Sequence, residues 1–337
     1  MGVTRWRLPL LLLGFVSLAL GVGGGLARLT PGVAAPGQAI GWHGALMVSA
    51  FFGTLISLER AAALGRPWAY AAPLAAGLGG ALVVAGLVAP GFWAMIIAAG
   101  VFCAANALVA ARHPSLETLT LLGGAAAWLA GNFFQLFGAG TFWWIVFFTL
   151  TIGAERLELS RYLKRPAWVR RTFALLAALL LVSPFSLPAL GVMLVAFALW
   201  LLAFDLARIT IRQTRLPRYV AACLLAGYAW LAVGGAFLVV GGYPDAALHA
   251  IFVGFVFSMV FGHAPVIVPA VLRVRFPYHR ALYLPLALLH ASLAVRVFVS
   301  TSVGAWGNAA AIALYIVTAL VLVLAFDPAQ AGRASPR

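Results

Sequence analysis

Residues 245–272 read DAALHAIFVGFVFSMVFGHAPVIVPAVL, an acid followed by an apolar run that holds two histidines, His249 and His263, and no further Asp, Glu, Lys or Arg. As a helix rising about 1.5 Å per residue, this stretch is long enough to cross a hydrocarbon layer about 30 Å thick. The rest of the chain has the same character. Of its 337 residues 64% are hydrophobic and 9% charged, with a mean hydropathy of +1.06. That composition excludes a water-soluble globule and predicts an all-α, polytopic membrane protein, because only helices and closed barrels satisfy their backbone polar groups inside lipid.

Apolar runs separated by short charged or Gly/Pro-containing breaks predict about twelve transmembrane helices. The expected spans are 8–26, 40–62, 70–88, 92–111, 116–137, 142–159, 172–187, 190–207, 219–240, 245–272, 281–300 and 306–325. With both termini cytoplasmic, all of the 22 Lys and Arg residues except Arg28 and Arg296 fall on the inner side. The net charge of +15 then follows from the positive-inside bias, and nucleic acid is not an expected partner. The lipid bilayer is.

Residues 1–337 read as one integral membrane domain, with a short basic inner loop near 155–171 dividing it into six plus six helices. No internal repeat stands out by eye. The first span, preceded by Arg5 and Arg7, lacks a clear small-x-small cleavage site and reads as an uncleaved helix. Cys103 and Cys223 form no CxxC pair and read as packing residues.

Imidazole is costly in hydrocarbon and there marks a ligand, a proton relay or a polar partner. Four histidines are embedded. His43 and His249 each lie about one turn inside the outer face, while His263 and His290 reach similar depths from the inner ends of helices ten and eleven. The fourteen positions from His249 to His263 are close to four turns of an uninterrupted α-helix, which puts both on nearly one side. Two stacked pairs of this kind suit one or two b-type haems, with His43 and His249 outside and His263 and His290 inside. Gly44, Gly254 and Gly262 leave room for a flat macrocycle. Arg28 and Arg296, the only outer bases, are the candidate propionate partners, with snorkelling to lipid headgroups as the other reading. Met47 and Met259 lie one turn from His43 and His263, and thioether sulfur favours Cu(I), so copper stands beside apolar packing as their role. Asn106, Asn132 and Gln135, and the Glu59-Arg60 and Glu155-Arg156 steps, carry less specific signals. His113 and His279 read as interfacial. No catalytic residue is assigned.

The segments Trp42-His43-Gly44-Ala45-Leu46-Met47, Phe51-Phe52-Gly53-Thr54-Leu55-Ile56, Leu248-His249-Ala250 and Gly262-His263 resemble the NnrS family of haem- and copper-containing bacterial membrane proteins. That resemblance implies haem bound at His43, His249 and His263, a bacterial inner (cytoplasmic) membrane, and a link to nitric oxide or another diatomic gas. Where that family's helix-two motif carries two histidines and an acid, this chain has His43 alone. The twelve-helix layout is also similar to the catalytic subunit of haem-copper oxidases, but helices six and seven contain no histidine, which disfavours oxygen reduction at a binuclear centre. The expectation is a haem-binding membrane protein in redox or gas handling, with a respiratory electron donor as partner. The alternatives are a proton-coupled secondary transporter and an assembly factor for a respiratory complex.

Overall fold

The computed structural model describes residues 4–161 and 163–325, and among these every regular element is helical. The expected flank at Arg333 and Arg337 lies outside the described residues. Two compact units divide the chain, Met1–Phe185 and Ser186–Arg337. Among the described residues ten helices are long and apolar enough to cross a membrane, so the chain is a multi-pass, all-helical membrane protein.

In the first unit α1 is Thr4–Ala27, α2 runs Gly37–Leu64, α3 Ala71–Val84, α4 Val88–Arg112, α5 Leu116–Gln135, α6 Thr141–Leu159 and α7 Ala167–Val182. In the second, α8 is Leu187–Phe204, α9 Arg215–Val240, α10 Pro244–Leu272, α11 Tyr283–Phe298 and α12 Thr301–Ala325. Two helices that the sequence reads as spans, α5 and α6, are not among the ten. Polar residues dilute them: Glu117, Asn132 and Gln135 in one, and Glu155, Arg156 and Glu158 in the other. Yet α6 is buried at every position from Trp144 to Ala154, as a helix apolar on all sides must be. Helix α5 starts on a capping box, in which Ser115 Oγ accepts from the Thr118 amide and Thr118 Oγ1 from the Ser115 amide.

Helix α10 continues through Pro265 and Pro269. A proline has no N–H for the carbonyl four residues back, so Pro265 orphans that of Phe261. Tyr315 of α12 repairs the loss: its hydroxyl donates to the Phe261 carbonyl at 2.8 Å, and the two rings stack with centroids 3.9 Å apart.

The two units repeat a four-helix order. In the first, α1 packs on α2, a 3-10 turn at Pro67–Tyr70 leads into α3 with Pro73 at its third position, and α4 follows. In the second, α9 packs on α10, a 3-10 turn at Arg280–Leu282 leads into α11 with Pro285 at its third position, and α12 follows. The packing glycines match as well. A Cβ at Gly14 would touch Thr54 of α2 and one at Gly21 would press on Met47, as one at Gly227 or Gly234 would press on Met259 or Ile251 of α10. Gly91 of α4 meets Val83 of α3 as Gly304 of α12 meets Arg296 of α11. The pairs Gly14/Gly227, Gly21/Gly234 and Gly91/Gly304 share one offset along the chain. By-eye comparison misses this repeat because leucine, alanine and valine fill every lipid-facing helix, and because the repeat does not start at the basic loop, which lies inside the first unit.

Candidate functional site

The helix that carries a histidine near its start is widened in each unit. In α2 the ladder is α-helical over Gly37–Ala45, π-helical over Leu46–Phe52 and α-helical again over Gly53–Leu64. In α10 the same sequence runs Pro244–His249, Ala250–Phe257 and Ser258–Leu272. A π stretch bonds i to i+5 and takes more residues per turn, and such stretches gather at functional sites. The expectation that His249 and His263 share a side rests on an uninterrupted α-helix between them. It fails because the π stretch changes the phase of everything after it.

At the start of α10, Asp245 makes a two-pronged pair with Arg296 of α11. Arg296 Nε donates to Oδ2 at 3.1 Å and Nη2 to Oδ1 at 2.9 Å. The fork geometry matches a carboxylate, which is why arginine and not lysine suits the place. The Arg296 side chain is 8% exposed and Asp245 48%. Gly304 makes room for it, since a Cβ there would lie 2.3 Å from the Arg296 Cα. Arg296, expected as a propionate partner, therefore uses its fork on Asp245. His249, one turn on, has Nδ1 2.8 Å from the Asp245 carbonyl oxygen and 3.2 Å from Oδ1. Both oxygens can only accept, so Nδ1 carries the hydrogen and the ring's lone pair is on Nε2. His263 is set the same way, with Nδ1 donating to the Met259 carbonyl at 2.8 Å.

His290 is set the opposite way. Trp230 Nε1 of α9 donates to its Nδ1 at 3.1 Å, so its hydrogen is on Nε2, 3.3 Å from Ser258 Oγ. Ser258 in turn donates to the Cys223 carbonyl at 2.7 Å. Both ring nitrogens are engaged in holding α9, α10 and α11 together. The space at Gly254 and Gly262, expected to face a macrocycle, is filled by α9: a Cβ at Gly254 would lie 2.4 Å from Trp230, and one at Gly262 3.0 Å from Cys223. These two glycines serve helix packing. Gly44 opens to nothing within 4 Å.

In the first unit, His43 receives a hydrogen bond on Nδ1 from Arg28 Nη1 at 3.1 Å. A guanidinium only donates, so the neutral His43 ring carries its hydrogen on Nε2. Its ring and Met47 lie along α1, over Gly25 and Gly21. Deeper in this unit a buried polar knot joins four helices. Asn132 Oδ1 accepts from Ser49, which lies in the π stretch, and from Trp144 Nε1 at 3.0 Å, while Asn132 Nδ2 donates to the Met95 carbonyl at 2.9 Å. Trp128 Nε1 donates to Ser49 at 3.2 Å.

The structure thus joins Asp245, His249 and Arg296 in one unit and Arg28 with His43 in the other, and it gives His290 to Trp230 and Ser258. Sequence reading missed Asp245, although its spacing of four from His249 on one helix is the signal that finds it. Among the described residues no group of three or more His, Cys, Asp or Glu side chains is placed to hold a metal ion.

The family model described as a domain of unknown function (DUF8744) matches residues 7–326, and the chain belongs to that family. No curated protein and no solved structure matches it.

Proposed function

We propose that this chain is a bacterial-type inner-membrane protein, crossing the bilayer twelve times with both termini cytoplasmic, that binds b-type haem through His249 and handles electrons or a diatomic gas. The observation that carries the reading is the His249 ring. Its Nδ1–H is tied to Asp245, a carboxylate held by a buried arginine, and its lone pair is on Nε2, the atom that would coordinate iron. A histidine whose far nitrogen donates to a carboxylate or carbonyl is the usual state of a metal ligand. Haem b, when bound, would supply one-electron chemistry.

The donor set fits at His249 and not at His290, whose ring nitrogens are both engaged and whose neighbouring glycine spaces are filled by Trp230 and Cys223. One haem at the outer end of α10 is therefore the proposed load. His263, with its lone pair on Nε2, remains a candidate inner ligand. Copper is the second candidate metal, at His43 and Met47.

The dithionite-reduced minus air-oxidised spectrum of detergent-purified protein, with a pyridine haemochrome assay, tests the proposal. Sharp b-type bands at about one haem per chain are expected, and they should be lost in His249→Ala and kept in His290→Ala. A folded, colourless protein from haem-replete cells overturns it. The repeated four-helix order and the interrupted helices favour a second reading, a proton-coupled transporter, since transporter folds are often built from repeats with broken helices. Substrate-dependent flux in proteoliposomes by the colourless protein would support that one.

A further inference from the structure

We infer that Asp245 and Arg296 are positioning residues that lock the tautomer and orientation of the His249 ring. The inference rests on the reading of His249 as a ligand and adds how its ring is prepared. Three contacts converge on one carboxylate. Oδ1 accepts from Arg296 Nη2 at 2.9 Å and lies 3.2 Å from His249 Nδ1, and Oδ2 accepts from Arg296 Nε at 3.1 Å. The backbone carbonyl of the same residue takes His249 Nδ1 at 2.8 Å. One residue therefore offers the imidazole two acceptors and no donor, and the fork of Arg296 fixes the rotamer in which the carboxylate reaches it. Pro244 and Asp245 open the helix, where negative charge is favoured by the exposed amides.

The arrangement is anchored from outside the site as well. The Arg296 backbone is packed on Gly304, so α12 sets where the fork stands. The surroundings of His43 in the first unit differ. Ala39 occupies the place four residues before His43, and the base that reaches that ring, Arg28, donates to the nitrogen that in His249 is the donor. A carboxylate that accepts from the far nitrogen pushes electron density toward the other one, which would strengthen a bond to iron there and favour its oxidised form.

The test uses the full-length, detergent-purified protein labelled with 15N-histidine, and Asp245→Asn, Arg296→Lys and His249→Gln variants. Asp245→Asn is expected to weaken haem retention against an apomyoglobin challenge by about 10–100-fold and to move the haem midpoint potential upward. Arg296→Lys keeps the charge, loses the fork, and should shift both in the same direction by less. Independently of haem, the His249 nitrogen signals, identified by their loss in His249→Gln, should report hydrogen on Nδ1 in the wild type and a mixture of tautomers in Asp245→Asn. If Asp245→Asn does not fold, Arg296→Lys carries the test. Unchanged His249 signals and unchanged haem retention in the variants overturn the inference. A colourless wild type with His249 signals that do move overturns the haem reading and leaves the tautomer lock standing.

Discussion

Helices α2 and α10 are the same device built twice. Each starts with an α-helical stretch carrying a histidine, widens into a π stretch and returns to α-helix. They differ in what meets the imidazole. In α10 an acid one turn earlier accepts from Nδ1, and in α2 an arginine from α1 donates to it. They differ again in the polar contact below. In α2 the serine of the π stretch meets an asparagine and a tryptophan, whereas in α10 the serine just after it meets a histidine. One scaffold can therefore hold a ring in either tautomer, according to whether acceptors or a guanidinium meet Nδ1.

The buried knots should separate the two helices most sharply. Asn132→Leu takes the acceptor from both the Ser49 hydroxyl and Trp144 Nε1 in a fully buried place, and a buried unsatisfied group costs about 1–3 kcal/mol. A loss of about 4 kcal/mol is expected in equilibrium unfolding from mixed SDS micelles. His290→Leu strands chiefly Trp230 Nε1, because Ser258 keeps the Cys223 carbonyl, so a loss of about 2 kcal/mol is expected by the same measurement. Equal losses would break the distinction drawn between the knots.

Only α10 carries prolines in its second α-helical stretch, so Tyr315→Phe should affect it alone. Removing the hydroxyl leaves the Phe261 carbonyl without its donor at a cost of about 1 kcal/mol, with amide exchange quickening around Phe261 and unaffected in α2. The smallest effect belongs to Arg28→Ala. Arg28 is exposed, so stability should move by less than about 0.5 kcal/mol. The His43 nitrogen signals should nonetheless shift from hydrogen on Nε2 toward a mixture, and a His43 spectrum indifferent to Arg28 would remove the contrast with His249.

Much of the fold was legible because lipid imposes it. A backbone that must satisfy its own hydrogen bonds has to be helical, so hydropathy alone located the helices, and the positions of the arginines supplied an orientation to propose. His43, His249, His263 and His290 could be picked out by the cost of imidazole in hydrocarbon. Their roles could not. Spacing on an ideal α-helix gave His249 and His263 a common side, and the π stretch undid that phase. Gly254 and Gly262 looked like space for a ligand until Trp230 and Cys223 were found in it.

The chain by itself determined the membrane, the helices and the residues worth watching, because these depend on composition and on periodicity within a single segment. Only the tertiary structure decided which nitrogen of each imidazole carries the hydrogen, that Arg296 belongs to Asp245, and that a four-helix order occurs twice. Each of these depends on side chains from helices distant in sequence, and the uniform apolar vocabulary that lipid requires leaves no trace of such pairings in the sequence itself.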